Sequence, residues 1–326
     1  MASKNLIYVT DYVENPDIEQ EITERCGLGI AHGELSVSEK ERVVGLLVWH
    51  QEIDADYIDQ FPNLKAVVRY GVGFDQIDVS LLAERQIGFG NTPNYGTDEV
   101  ADTGVAMVLS GARGLTAYHH VIKTLAEGTW QENTLPHIVR TKDMRLGVVG
   151  LGRIGTSLAL KCKALGFQVS FYDPLLPSGV DKSLSLLRYR SLDDLLSQCD
   201  VVSVHTPLND QTEGMIDVRF IEKMKDGAIL INTARGGLID DLEEVFNALK
   251  LGKLSFAGLD VIPQEPLPRT NALHEPMIEL IEKGKLVLNP HTAYYSQQSY
   301  KEMRSLAAEN LCQHLSQGSK LENQIL

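Results

Sequence analysis

Arg235, Asp260, Glu265 and His291 come in that order, each shortly after an apolar run that ends at Ile231, Leu259 or Leu288. A guanidinium presents paired donors that match a carboxylate, and it can polarise an adjacent ketone. An imidazole can protonate, or deprotonate, an oxygen whose charge changes during a reaction. A carboxylate on the far ring nitrogen orients that imidazole. Together these residue types suit hydride transfer at the reacting carbon of a 2-keto or 2-hydroxy acid. In this set the guanidinium is that of Arg235, the imidazole that of His291, and the carboxylate that of Asp260 or Glu265. Such a set still needs a hydride donor.

The segment Gly150-Leu151-Gly152-Arg153-Ile154-Gly155 is a G-x-G-x-x-G placed to receive one. Alone the pattern is weak, but here it follows a strand-like run at 146–149 and opens a helical stretch at 154–165. The first glycine allows a tight turn, the second lets a pyrophosphate approach the backbone, and the third lets helix and strand pack closely. The helix N-terminus adds free N–H groups and the positive end of its dipole. Asp173 ends the next strand-like run, where a carboxylate can accept from a ribose 2′-hydroxyl and would repel a 2′-phosphate. Pro174 follows, and no arginine lies close behind in sequence. NAD is therefore expected rather than NADP. The expected cofactor contacts are Gly150, Gly152, Arg153, Ile154, Gly155, Asp173, His205, Thr206, Pro207, Thr233, Ala234 and Asp260. For His205, a role near the cofactor and a purely structural one both stand.

Groups that converge from successive strand ends ask for a parallel sheet. Strand-like runs at 146–149, 168–172, 201–205, 228–232, 256–259 and 286–288 are interleaved with helical stretches at 154–165, 192–197, 218–224 and 241–250. This alternation predicts a dinucleotide-binding sheet of six strands with helical crossovers, with ligands at the strands' carboxyl ends. Gly166, Gly227 and Gly252 stand where left-handed residues commonly end helices. Before Thr97 the alternation recurs, with strands at 6–9, 29–31, 45–49 and 66–70 and helices at 17–25 and 54–60. Thr97 can cap a helix that runs to about Leu115, with Asp98 and Glu99 in its first turn. The helix predicted over 297–317 has no sheet of its own and is expected to return to the first domain.

The expected fold is thus α/β, with two Rossmann-like or flavodoxin-like domains. The cofactor domain, 98–291, is inserted into a discontinuous substrate domain, 1–97 and 292–326. A length of 326 residues agrees, because single cores stop growing at roughly 250–300 residues.

Composition narrows the function classes. With 43% hydrophobic and 23% charged residues, the chain is neither collagen-like, nor a disulfide scaffold, nor wholly disordered. A net charge of −14 repels phosphate backbones, so neither nucleic acid nor an anionic membrane is an expected partner. Cys26, Cys162, Cys199 and Cys312 form no C-x-x-C and are expected to be packing thiols in a reducing, cytoplasmic protein. No run approaches the ~18 apolar residues of a membrane span. His32, His119, His120, His137, His274 and His314 show no metal-type spacing, and no metal is expected.

Several further segments carry a resemblance. They are Gly71-Val72-Gly73-Phe74-Asp75-Gln76-Ile77-Asp78, His205-Thr206-Pro207-Leu208, residues 232–240, the Glu265 segment and Pro290-His291. With the glycine loop they make the chain resemble the D-isomer-specific 2-hydroxyacid dehydrogenases over nearly its whole length. The resemblance implies that Arg235 binds substrate, that Glu265 pairs with His291, that His291 is the acid–base and that Asp260 holds the nicotinamide carboxamide. It also implies that backbone N–H groups of Tyr70, Gly71, Val72 and Gly73 receive the substrate carboxylate. Substrate and NAD would share the cleft between domains, and closure about crossings at Thr97 and His291 would exclude water. A homodimer formed through the cofactor domain is implied as well.

Within the family the chain looks most like the branch of the C-terminal-binding-protein co-repressors, through residues 68–75 and 290–296. There Arg69 would add a second cation for the carboxylate, unless it serves only the strand end. Tyr294 stands where the co-repressors carry Trp, and it either lines the pocket or packs under the returning helix. Trp49, His50 and Tyr70 suggest room for an aromatic or medium apolar 2-keto acid. Two other readings remain open: an NAD(H)-sensing binding protein, and a phosphoglycerate- or hydroxypyruvate-type dehydrogenase. A C-terminal regulatory domain, common in the former type of dehydrogenase, is not expected in a chain that ends so soon after His291.

Overall fold

Strands covered on both faces need no polar side, and the first sheet shows this in β3 (Val43–Val48), buried at every residue. The computed structural model describes residues 4–123, 132, 134–135, 138–268 and 270–325. It divides into two compact units, 1–96 with 295–326, and 97–294.

The first unit begins with β1 (Leu6–Val9), α1 (Asp17–Arg25), β2 (Gly29–His32), α2 (Val37–Lys40) and β3. It continues through α3 (Ala55–Ile58), β4 (Ala66–Arg69), α4 (Val79–Glu84) and β5 (Gly88–Asn91). Among the described residues its strands form one parallel sheet in the order β2-β1-β3-β4-β5, the flavodoxin-like order. Leu46, Val48 and Val67 pack with Ile53, Ile58, Phe61 and Leu82 on one face.

The second unit opens with α5 (Thr97–Ala112) and α6 (Leu115–Lys123). Then come β6 (Arg145–Val149), α7 (Arg153–Ala164), β7 (Gln168–Tyr172), α8 (Val180–Leu184), β8 (Leu187–Arg188), α9 (Leu192–Gln198) and β9 (Val201–Val204). The rest is α10 (Val218–Lys223), β10 (Ala228–Asn232), α11 (Leu242–Leu251), β11 (Leu254–Leu259), α12 (His274–Glu282) and β12 (Leu286–Leu288). The strands form one parallel sheet in the order β12-β11-β10-β9-β6-β7-β8. Stripped of β12, this is the dinucleotide-binding order, with the reversal between β6 and β9. One core, built on Leu158, Phe171, Ile229 and Phe256, lies against α5 and α7. A second core, built on Leu196, Phe220, Leu230 and Phe246, carries α9, α10 and α11.

The chain then returns to the first unit as α13 (Gln297–Gln317), which packs beside α1 and over β3 and β4. Ser296 caps it by accepting the Ser299 N–H at 2.9 Å.

Several expectations are corrected. The dinucleotide sheet has a seventh strand, β8, whose two residues are too short to show a period. The helix expected from Thr97 to Leu115 breaks at Gly114, which has φ +61°, and Thr97 is its first residue, not a cap before it. β5, α2, α4, α6, α8 and α12 are additional to the expected elements. In α12 the signal is blurred by Pro276, which the first turn tolerates because a residue there needs no N–H for an intrahelical bond.

Candidate active site

The glycine loop is built as its pattern demands. Gly150 leaves β6 with φ +87°, and a Cβ there would lie 2.9 Å from the His205 carbonyl. A Cβ on Gly155 would lie 2.1 Å from the Gly150 oxygen, so α7 can start here only without one. Around Gly152, the N-cap of α7, a Cβ would meet nothing within 4 Å. That open approach to a helix N-terminus is what a pyrophosphate needs. Arg153 is exposed and Ile154 half-buried beside it.

Asp173 follows β7 directly. Its Oδ2 accepts the Leu151 N–H at 2.9 Å and its Oδ1 the Leu175 N–H at 3.0 Å. The carboxylate therefore ties the glycine loop to the turn after β7 and keeps further lone pairs for ribose hydroxyls. Sequence reasoning finds no arginine close behind it, but the fold brings Arg188 there from β8. Arg188 donates to the carbonyls of Asp173 (2.6 Å), Leu176 (2.8 Å) and Pro177 (3.0 Å), and its guanidinium lies 5.7 Å from the Phe171 ring centroid. Its donors serve main-chain carbonyls, so this neighbour does not weaken the case for NAD.

His205 follows β9 against the same loop, with its N–H on Val149 O at 2.8 Å. Its Nε2 lies 2.8 Å from Ser203 Oγ, and burial pushes its pKa down to about 4, so the ring is neutral near pH 7. Thr206 is half-buried and Pro207 exposed. After β10, the Ala234 N–H donates to Asn232 Oδ1 at 3.0 Å, and Asn232 Nδ2 donates to Arg235 O at 2.9 Å. Thr233 Oγ1 is buried and, among the described residues, has no hydrogen-bond partner. An orphaned hydroxyl beside an open glycine loop and a strand-end carboxylate fits a dinucleotide, and the residues present suit NAD.

The acid–base candidates meet at the ends of β10, β11 and β12. Arg235 is half-buried and donates from Nη1 to its neighbour's carbonyl, Ala234 O, at 2.7 Å. A Cβ on the next residue, Gly236, would lie 1.8 Å from Ile262 O, so the turn carrying Arg235 presses on the loop carrying Glu265. Glu265 Oε1 accepts the Ile262 N–H at 2.8 Å, and its Oε2 lies 2.7 Å from His291 Nδ1. Burial raises the Glu265 pKa. Its hydrogen bond to His291, the charges of His291 and Arg235 and the Ile262 N–H outweigh that, so it ends below the ordinary carboxylate range. An ionised carboxylate can only accept, so His291 Nδ1 carries the hydrogen and Nε2 is left for chemistry.

His291 has φ +55°, a strained value for a side chain of this size. Asp260 holds it there. Its carbonyl accepts the His291 N–H at 2.8 Å, and its Oδ1 accepts the N–H groups of Thr292 (3.0 Å) and Ala293 (2.9 Å). Burial pushes the Asp260 pKa up, against the lowering by those donors and by His291. This scaffolding role of Asp260 was not visible in the sequence. Tyr294 follows, half-buried.

In the first unit, Arg69, Tyr70, Gly71, Val72 and Gly73 leave the carboxyl end of β4. Asn91 and Thr92 brace this loop from β5: Asn91 Nδ2 donates to Val72 O at 2.6 Å, the Thr92 N–H to Gly71 O at 3.0 Å and Thr92 Oγ1 to Arg69 O at 3.0 Å. Among the described residues no cluster of His, Cys, Asp and Glu is arranged to hold a metal ion, and no helix is long and apolar enough to cross a membrane. His137 lies outside the described residues.

The chain is similar to known proteins. Residues 105–293 match the family profile of the D-isomer specific 2-hydroxyacid dehydrogenase, NAD binding domain. A glyoxylate reductase of Korarchaeum cryptofilum is 35% identical over 278 residues, 84% of this chain and 80% of the relative. One from Thermofilum pendens is 33% identical over 318 residues, 94% and 90% of the two chains. The crystal structure of D-lactate dehydrogenase from Aquifex aeolicus, complexed with NAD and lactic acid, aligns with a TM-score of 0.86 at 27% identity, over 98% of this chain and 99% of that one. The chain belongs to the D-isomer-specific 2-hydroxyacid dehydrogenase family and is an NAD-dependent oxidoreductase acting on 2-hydroxy acids.

Proposed function

We propose that the protein reduces a 2-keto acid to the D-2-hydroxy acid, with His291 as the acid–base. The observation that carries this reading is the 2.7 Å contact between His291 Nδ1 and a Glu265 carboxylate that stays ionised. It orients Nε2 and balances the charge of a proton held there. Bound NADH supplies the hydride. In reduction His291 gives the Nε2 proton to the substrate oxygen as negative charge develops on it. Arg235 takes the substrate carboxylate in its guanidinium fork and polarises the ketone. For the first unit, Arg69 and the loop after it are read as groups that bind a substrate carboxylate. The Tyr70 N–H already donates to Val48 O at 2.8 Å, so the task falls to Gly71, Val72 and Gly73. Tyr294 is read as a pocket residue and Asp260 as the partner of the nicotinamide amide.

Reduction starts with the protonated ring and oxidation with the neutral one. Tyr12, Trp49 and His50 cluster with ring centroids 4.5–6.0 Å apart after β1 and β3, which supports a substrate side chain of aromatic or medium apolar character. The test is a panel of 2-keto acids from glyoxylate and hydroxypyruvate to phenylpyruvate, followed by NADH absorbance, with His291→Ala beside the native enzyme. Full turnover in His291→Ala would sink the assignment. A preference for glyoxylate over every larger acid would sink the side-chain reading alone.

A further inference from the structure

Beneath the loop that leaves β4 lies an ion pair sealed from water. Glu19 on α1 and Tyr70 are fully buried, and Arg304 on α13 is 6% exposed. Arg304 grips the Glu19 carboxylate with two donors, Nε on Oε1 at 2.8 Å and Nη2 on Oε2 at 2.6 Å. The same Nη2 reaches Asn15 O at 2.8 Å and Asp17 Oδ1 at 3.2 Å. The Tyr70 hydroxyl donates to Glu19 Oε1 at 2.8 Å. Burial first, then the charge of Glu19, hold that hydroxyl well above its ordinary pKa, so it stays a donor.

A buried ion pair is a poor source of stability, because desolvating two charges costs about what their attraction returns. What this one supplies is direction. Its free acceptor is spent on the ring of Tyr70, whose carbonyl takes an Arg69 Nη1 donor and whose successor Gly71 turns the chain at φ +108°. The ring is further held by Trp49, at 5.6 Å between centroids. We propose that Tyr70 is a positioning residue, with its hydroxyl anchored by the Glu19–Arg304 pair so that Arg69 and the N–H groups of Gly71, Val72 and Gly73 are preset for the substrate carboxylate. The inference rests on the assignment of that loop under Proposed function.

The test is Tyr70→Phe, which removes one oxygen and leaves the ion pair and the ring. KM should rise about tenfold for glyoxylate and for phenylpyruvate alike, because the carboxylate is what they share, with kcat within about twofold. NADH affinity by fluorescence titration should not move. A fall in Tm with KM unchanged would make the contact merely structural and overturn the proposal. A KM change for one acid only would assign the effect to the side-chain pocket and overturn it as well. Arg304→Lys keeps the cation but loses the two-pronged grip, and it is judged by the same criterion should Tyr70→Phe fold poorly. His291→Ala, run in parallel, separates the failures. If it retains turnover the functional reading has failed, and if it is inactive while Tyr70→Phe leaves KM unchanged, only this inference has.

Discussion

His291 Nδ1 and Glu265 Oε2 lie 2.7 Å apart, on loops that follow different strands of one sheet. The pair fixes which face of the imidazole does chemistry. Losing an acid–base group typically costs about 10²–10⁴-fold in rate. His291→Ala should lose that much kcat in keto-acid reduction, while NADH titration by fluorescence stays as in the native enzyme.

The same pair sets an acid dependence. Glu265 has its pKa depressed in the folded protein, so its contribution to stability is present above the unfolded carboxylate value. That contribution is lost as pH falls through the lower, folded value. In Glu265→Gln this component is absent. Melting temperatures of the two proteins should differ near neutral pH and converge as the medium is acidified below the ordinary carboxylate range. A gap that persists unchanged into strong acid would refute the assignment.

His205 gives a second dependence in a different window. Burial lowers its folded pKa to about 4 from the ordinary imidazole value of 6.5, so the unfolded chain takes up a proton that the folded protein refuses. Stability is intact above 6.5 and drains as pH falls from there toward 4. His205→Asn should flatten the part of the melting-temperature curve between these limits, and a curve identical to native would count against it.

Asp173 bears on cofactor choice. A hydrogen bond to a charged group is worth roughly 1.5–3 kcal/mol, and the carboxylate also repels a 2′-phosphate. Asp173→Asn should cut the ratio of kcat/KM for NADH over NADPH by about tenfold or more. An unchanged ratio would place cofactor discrimination elsewhere. Because Oδ2 also holds the Leu151 N–H, some loss with both cofactors is expected.

Gly236→Ala tests the packing behind the site. The added methyl would lie 1.8 Å from Ile262 O, which is backbone and cannot swing away. Overpacking costs typically 1–3 kcal/mol, visible as a lowered midpoint in urea. Moving the Arg235 turn should also raise KM for the keto acid. A native midpoint would show that the two loops can separate freely.

What could be read in the sequence follows from how local each signal is. Arg235, Glu265 and His291 sit just past apolar runs, so alternation alone put them on one sheet edge. The glycine loop carried its own spacing. Asp260 was assigned a cofactor contact, but its grip on the Thr292 and Ala293 N–H groups depends on register between β11 and β12, which no local pattern encodes. Arg188 was missed because β8 has two residues. Glu19 and Arg304 were missed for the opposite reason: they are 285 positions apart, and each alone resembles a surface helix charge. The likeness to the co-repressor branch rests on two short segments, and the similarity to glyoxylate reductases and a D-lactate dehydrogenase shows the family without singling out that branch.

The placing of α13 has a consequence for how the molecule is made. β3 and β4 carry one face for α3 and α4 and another for α13, and a Cβ on Gly45 would already lie 2.8 Å from Leu315. A ribosome delivers β1 to β5 first, then the whole of 97–294, and α13 last. The second unit is contiguous and can close as it emerges, since domains generally fold as units during synthesis. The first sheet must wait half-clad through that interval, with the face of β3 and β4 that α13 covers still open. Translation speed across the second unit therefore sets how long an apolar surface stays open to chaperones and to neighbouring nascent chains.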